Sequence, residues 1–128
     1  ATPRARIDIR RRLPGLPVVG RRGRQVHVRT QVHNLSTRPF PAQATFGRRL
    51  VRLGAQLKSD DGQLMNRNQA RAWLPATLGP GESREVPIDV PLPDRPGRYQ
   101  LTLDLVAEGV DWFEACGSPT TTTWIVVL

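Results

Sequence analysis

Two short clusters carry the residue types from which a binding chemistry can be built. Trp73 lies close to Arg71 and Asn68, and Trp112 lies close to Glu108 and Asp111. A flat indole can stack on the apolar face of a sugar ring, while carboxylate, amide and guanidinium groups bond its hydroxyls. These six residues are the candidate glycan-binding set. The competing structural reading is that one or both rings plug the open ends of a domain. Large aromatics bury most of their area, so Trp73, followed by Leu74 and Pro75, is expected to pack into the core. Period-2 alternation would send one of the adjacent Trp112 and Phe113 inward and the other outward.

Catalytic chemistry has weaker support. A nucleophile needs a positioned base, yet His27 and His33 occupy one face of one predicted strand, and no nucleophile elbow or triad order stands in the sequence. Glu108, Asp111 and Glu114 are carboxylates close in sequence, in the manner of solvated loop acids. Glu108 could instead accept backbone N–H groups in that loop. No Gly-rich phosphate motif occurs. Cys116 is the single cysteine, so no internal disulfide and no cysteine cluster can form, and two histidines alone make no metal site. The chain is expected to use no cofactor and no metal, and not to be an enzyme by itself.

The charge is uneven. The formal net charge is +8, but residues 1–58 hold thirteen Arg and Lys58 against Asp8 alone, whereas 59–128 hold five Arg against ten acids. Arg10, Arg11, Arg12, Arg21, Arg22 and Arg24 form a basic patch that could meet an acidic partner or an anionic membrane surface. Nucleic acid is disfavoured as a partner. Single-strand readers interleave aromatic and basic residues on an exposed sheet, and the aromatics here fall near predicted corners.

The elements that must position these residues are strands. Arg4 to Ile9 reads as an edge strand with Ile7 and Ile9 on one face. An Arg/Gly/Pro-rich crossing follows, and residues 1–24 are set apart as this basic beginning. Residues 25–128 are read as the rest of a single domain. Gln25 to His33 alternates cleanly through Val26, Val28, Thr30 and Val32. Arg49 to Lys58, Gln63 to Asn66, Glu85 to Val90, Arg98 to Val106 and Thr121 to Leu128 read as further strands, and Gln69 to Leu74 as a short segment carrying Trp73. Turns fall at Asn34–Thr37, at Ser59-Asp60-Asp61-Gly62 and at Pro80-Gly81-Glu82. The prolines of 91–97 mark a rigid corner. Seven or so short strands with such turns predict an all-β, immunoglobulin-like, two-sheet antiparallel sandwich. Pro96-Gly97-Arg98-Tyr99 places Tyr99 in a corner role, its hydroxyl tied to nearby backbone. No apolar run approaches the roughly 18 residues of a membrane helix. With one cysteine, the expected location is cytoplasmic or peripheral on the cytoplasmic side of a membrane. Ala1 is not an initiator Met, so the chain is read as a domain of a longer protein.

Within this framework the C-terminal half resembles a known family. RLVRLGAQLKSDDGQLMNRNQARAWLPATLGPGESREVPIDVPLP and PGRYQLTLDLVAEGVDWFEACGS carry the likeness. Its most specific parts are Arg71 with Leu74 and Pro75, the Pro80-Gly81-Glu82 turn, and the Tyr99 strand leading to Glu108, Trp112-Phe113 and Gly117. The pattern, over about residues 25–128, resembles an immunoglobulin-like module appended to bacterial glycosyltransferases and other polysaccharide-biosynthesis proteins. More loosely, it is similar to the carbohydrate-binding C-terminal domain of ABC transporters that export O-antigen. The resemblance implies an accessory module that binds or positions glycan for a surface-polysaccharide protein. Its alternative is an interaction module packed against a parent catalytic domain.

Overall fold

Alternation of apolar and polar side chains decides which way each strand faces. In the computed structural model, which describes residues 2–11, 15–43 and 49–128, β1 (Ala5–Ile9) and β3 (Gln25–Asn34) bury alternate residues. They turn Ala5 and Ile7, and Val28, Thr30 and Val32, inward. β6 (Ser83–Pro91) completes this sheet in the order β1–β3–β6, antiparallel throughout. The second sheet runs β2 (Val18–Gly20), β9 (Thr121–Val127), β7 (Gly97–Ala107), β4 (Val51–Lys58), β5 (Leu64–Trp73). A two-residue strand, β8 (Asp111–Trp112), folds back on the C-terminal end of β7.

The two sheets face each other across one apolar layer. Leu53, Ala55 and Leu57 of β4, Leu101, Leu103 and Leu105 of β7, and Ile125 of β9 meet Val28, Val32, Val86, Ile88 and Val90 of the smaller sheet. Burying each large aliphatic side chain contributes about 1.5–3 kcal/mol, so this layer is the main source of stability. The sides are tied by polar bonds. The Ser118 hydroxyl accepts the Ala5 N–H at 2.9 Å, and Gln69 Nε2 donates to the Pro91 carbonyl at 2.6 Å. The chain is thus an all-β, immunoglobulin-like two-sheet sandwich, as the alternation predicts.

Three local features depart from the sequence reading or refine it. The basic crossing holds a strand: β2 pairs parallel to β9, the one parallel pairing among otherwise antiparallel ladders of the described residues. It forms because the chain leaves the smaller sheet after β1 and joins the larger one. The predicted strand at 63–66 and the short segment at 69–74 are a single β5, whose register against β4 shifts near Leu57. Its turn uses Gly62 at φ 87°, a left-handed conformation that glycine adopts without a Cβ penalty. Finally, the Tyr99 hydroxyl donates to the Arg95 carbonyl at 2.7 Å, which is the corner contact expected of it.

Candidate functional site

The outward face of the larger sheet carries the candidate residues. Cross-strand register puts Trp73 of β5 opposite Arg52 of β4, and Arg52 opposite Val106 of β7. One step along, Arg71, Gly54 and Asp104 form the next row, and Trp112 of β8 pairs with Val106. All these positions have the parity opposite to the core residues Leu53, Ala55, Leu103 and Leu105. They therefore share the outer face.

Glu108, in the turn just beyond β7, ties this face together. Its Oε1 accepts from Arg52 Nε at 3.1 Å and from Arg71 Nε at 3.0 Å. Each guanidinium in turn lies over an indole: Arg52 is 5.0 Å from the Trp73 ring centre and Arg71 is 4.5 Å from that of Trp112. Arg71 also donates to Asn68 Oδ1 at 2.7 Å and to the Ala70 carbonyl at 3.2 Å. The two clusters that are separate in sequence are one network in space. Charge-assisted bonds of this kind are roughly twice as strong as neutral ones, and the shared carboxylate holds both guanidinium planes in place. The expected role of Glu108 as an acceptor of loop N–H groups is corrected: guanidinium groups take its carboxylate.

The two tryptophans differ in what they offer. Trp112 is 7% exposed, with Arg71 on it and Gly54 beneath it, where a Cβ would come within 2.6 Å of the ring. Its faces are occupied, and it fixes Arg71. Trp73 is 62% exposed. The expectation that Trp73 plugs the core is corrected, because its register opposite Arg52 turns it outward while the next residue, Leu74, enters the core. Phe113 points inward and meets Phe40 edge-on at 5.2 Å, so the Trp112–Phe113 pair divides between the two sides as alternation requires. Asp111 is exposed, and its Oδ1 accepts the Trp112 backbone N–H at 2.8 Å.

Sequence reasoning missed five residues of this face. Arg52, Gly54 and the pair Arg98–Trp124 belong to it, as does the buried Asp104. Asp104 accepts the backbone N–H groups of Leu105 and Glu114, at 2.8 and 2.9 Å, beneath the 3₁₀ segment Phe113–Cys116. Burial raises its pKa from 3.8 to about 6, against the opposing effect of those two bonds. Trp124 of β9 is 37% exposed, with Arg98 4.4 Å from its ring centre. The premise that the aromatics sit at corners apart from basic residues is corrected: all three tryptophans lie on this one face, each under an arginine.

The remaining candidates lie elsewhere. Arg10 and Arg11 follow β1, and Arg21, Arg22 and Arg24 form the β2–β3 turn; all five are exposed, and Arg12 falls outside the described residues. Arg10 lies 4.0 Å from Glu85, while Arg21, Arg22 and Arg24 make no ion pair among the described residues. On the outer face of the smaller sheet, His33 lies between Ser83 Oγ (2.5 Å from Nδ1) and Asp8 Oδ2 (2.9 Å from Nε2). This line-up resembles a triad, which the sequence order did not show. An Arg6 guanidinium nitrogen also stands 3.3 Å from the same Nε2. His27 pairs with Asp89 at 2.7 Å. These are cross-strand pairs that stabilise the small sheet. No cluster of three or more His, Cys, Asp or Glu among the described residues is arranged to hold a metal ion, and no described helix is long and apolar enough to cross a membrane.

No protein-family model matches the chain, and no curated protein sequence matches it. Solved structures do. The chain is similar to the CARDB domain of PF1109 from Pyrococcus furiosus, with 17% identity and a TM-score of 0.55 over 98% of this chain and 95% of that one. It is similar to the C-terminal domain of Wzt, with 16% identity and a TM-score of 0.55 over 97% of this chain and 73% of that one. It also resembles part of a β-glucosidase from Listeria innocua solved with glucose, at 13% identity and a TM-score of 0.54, where 98% of this chain matches 17% of the enzyme. At such identities the likeness is one of fold alone.

Proposed function

We propose that this chain is a non-catalytic glycan-binding module of a surface-polysaccharide biosynthesis or export protein, acting at the outer face of its larger sheet on the cytoplasmic side. The observation that carries the reading is Trp73: an indole 62% exposed, backed by the Arg52 guanidinium and flanked by the Glu108–Arg71–Asn68 network. The ring supplies an apolar platform for a pyranose, and the fixed polar groups beside it supply hydroxyl partners. Glu108 donates no proton in this role; its carboxylate orients Arg52 and Arg71. The resemblance of its sequence to glycan-handling modules of polysaccharide assembly and export supports that setting, and the C-terminal domain of Wzt shares its fold.

The test is a titration of the source organism's polysaccharide fragments into the isotopically labelled chain, followed by two-dimensional NMR. Shifts should centre on Trp73, Asn68 and Arg71, and Trp73→Ala should abolish them while leaving the spectrum folded. If millimolar fragments leave those resonances unmoved, the glycan reading fails.

A second reading is favoured by the exposed turn residues Arg21, Arg22 and Arg24, which have no ion pair among the described residues. In it the module packs against an acidic surface of a parent catalytic domain. Reversing these three charges would then weaken association with that domain at low salt, and an unchanged affinity would remove the idea.

A further inference from the structure

The two outer faces of the sandwich treat their charges in opposite ways. On the smaller sheet, acids and arginines pair, Arg6 with Asp8 at 3.4 Å and Arg29 with Glu85 at 2.7 Å, and Asp89 lies 2.7 Å from the His27 ring. On the larger sheet the strand positions facing outward hold Arg52, Lys58, Arg71 and Arg98 against one acid, Asp104. Asp104 is buried and its oxygens are spent on two backbone N–H groups. Glu108, beyond the strand, offsets one unit of positive charge between Arg52 and Arg71. Lys58 and Arg98 make no ion pair among the described residues, and Arg98 lies instead on the Trp124 ring.

The geometry of this face is a repeat of one device. At one corner, exposed Trp73 stacks with Arg52; at the diagonal corner, part-exposed Trp124 stacks with Arg98. Register fixes their separation. Arg52 and Lys58 are six residues apart on β4, Lys58 lies opposite Gln100, and Gln100 lies opposite Trp124 on β9, three strand spacings from β5. Strand rise and strand spacing make the two rings roughly 25 Å apart. Each corner offers an aromatic platform with a cation on it; of the outward positions between them Thr122 is exposed, whereas Gln56 and Thr102 are buried.

We infer that this face holds two stations for a linear, acidic polysaccharide, Trp73/Arg52 and Trp124/Arg98, with the ligand passing over the buried positions between them. The inference rests on the glycan reading above and adds a second station, a chain-like ligand and its charge. Carboxylate or phosphate groups along such a chain are the anions that the outward cations lack. A single-stranded nucleic acid fits less well, because its readers stack successive bases on closely spaced rings, whereas these two exposed rings are too far apart for neighbouring bases.

Isothermal titration of the whole chain with polygalacturonate, dextran and an oligo-dT strand tests this. Polygalacturonate should bind about tenfold or more tighter than dextran and weaken as salt is raised. Trp73→Ala, Arg52→Gln, Trp124→Ala and Arg98→Gln should each reduce its affinity severalfold, with Arg98→Gln serving where Trp124→Ala disturbs folding. Equal binding of dextran, or indifference to both the Trp124 and Arg98 changes, overturns the acidic two-station reading while a Trp73-dependent glycan site survives. Tighter binding of oligo-dT overturns it in favour of nucleic acid. Absence of binding to both polysaccharides, together with a silent NMR titration of the native fragments, removes the glycan reading itself.

Discussion

The indole of Trp112 fills the space that a side chain at residue 54 would occupy: a Cβ on Gly54 would lie 2.6 Å from two of its ring carbons. That closeness makes the sheet's outer face a packed surface at this point, with Val106 and Trp112 buried outside the main core. Gly54→Ala is therefore expected to push the ring off the sheet and destabilise the fold by about 1–3 kcal/mol, the range for overpacking. In a Trp112→Ala background the same change should cost far less. A double-mutant cycle by chemical denaturation reads that coupling.

Trp73 and Trp112 should separate stability from binding. Removing buried Trp112 is expected to cost about 3–5 kcal/mol, as for other large-to-small changes at buried aromatics. Removing exposed Trp73 forfeits only its stacking with Arg52, about 0.5–1 kcal/mol. Urea midpoints of Trp73→Ala and Trp112→Ala measure the contrast. Equal losses would mean that Trp73 is a packing residue and no platform.

The corner at Tyr99 offers a single-atom test. Its ring is buried and its hydroxyl has one protein acceptor, the Arg95 carbonyl. Tyr99→Phe keeps the ring and leaves that carbonyl without its donor, so a loss of about 0.5–1.5 kcal/mol is expected. The unfolding midpoint should fall with no change in the denaturant slope.

Much of this architecture is legible in the alternation of residues such as Val28, Thr30 and Val32, or Leu101, Leu103 and Leu105, because period-2 burial is a local property. The outer-face network is not local. Arg52 reads only as a polar strand position, since its partners Trp73 and Glu108 are brought to it by the β4–β5 register and by the turn after β7. That register includes a shift near Leu57, which no turn motif signals. Whether Trp73 or Leu74 enters the core likewise depends on one residue of phase. Gly54 carries a sequence signal after the fact: a glycine inside a strand marks a close approach. Asp104 sits at a polar position of an alternating strand and would be exposed, but the segment after β8, read as loop, folds over it as a 3₁₀ turn.

That burial gives Asp104 a pH signature. Its pKa in the fold is raised from 3.8 to about 6, chiefly by desolvation of the charged form. The folded state therefore binds this proton more tightly than the unfolded chain does. Above about pH 6 the group is ionised in both states, and the fold bears the full cost of a buried carboxylate. As pH falls through 6 that cost is relieved, and below the unfolded value near 3.8 it is gone. Asp104→Asn isolates the effect. The stability difference, wild type minus variant, should grow in favour of wild type by up to about 3 kcal/mol between pH 7 and pH 4. Unfolding curves for both proteins across that range measure it. A difference that stays flat would show that Asp104 is ionised at no cost, its two backbone N–H bonds fully offsetting its burial.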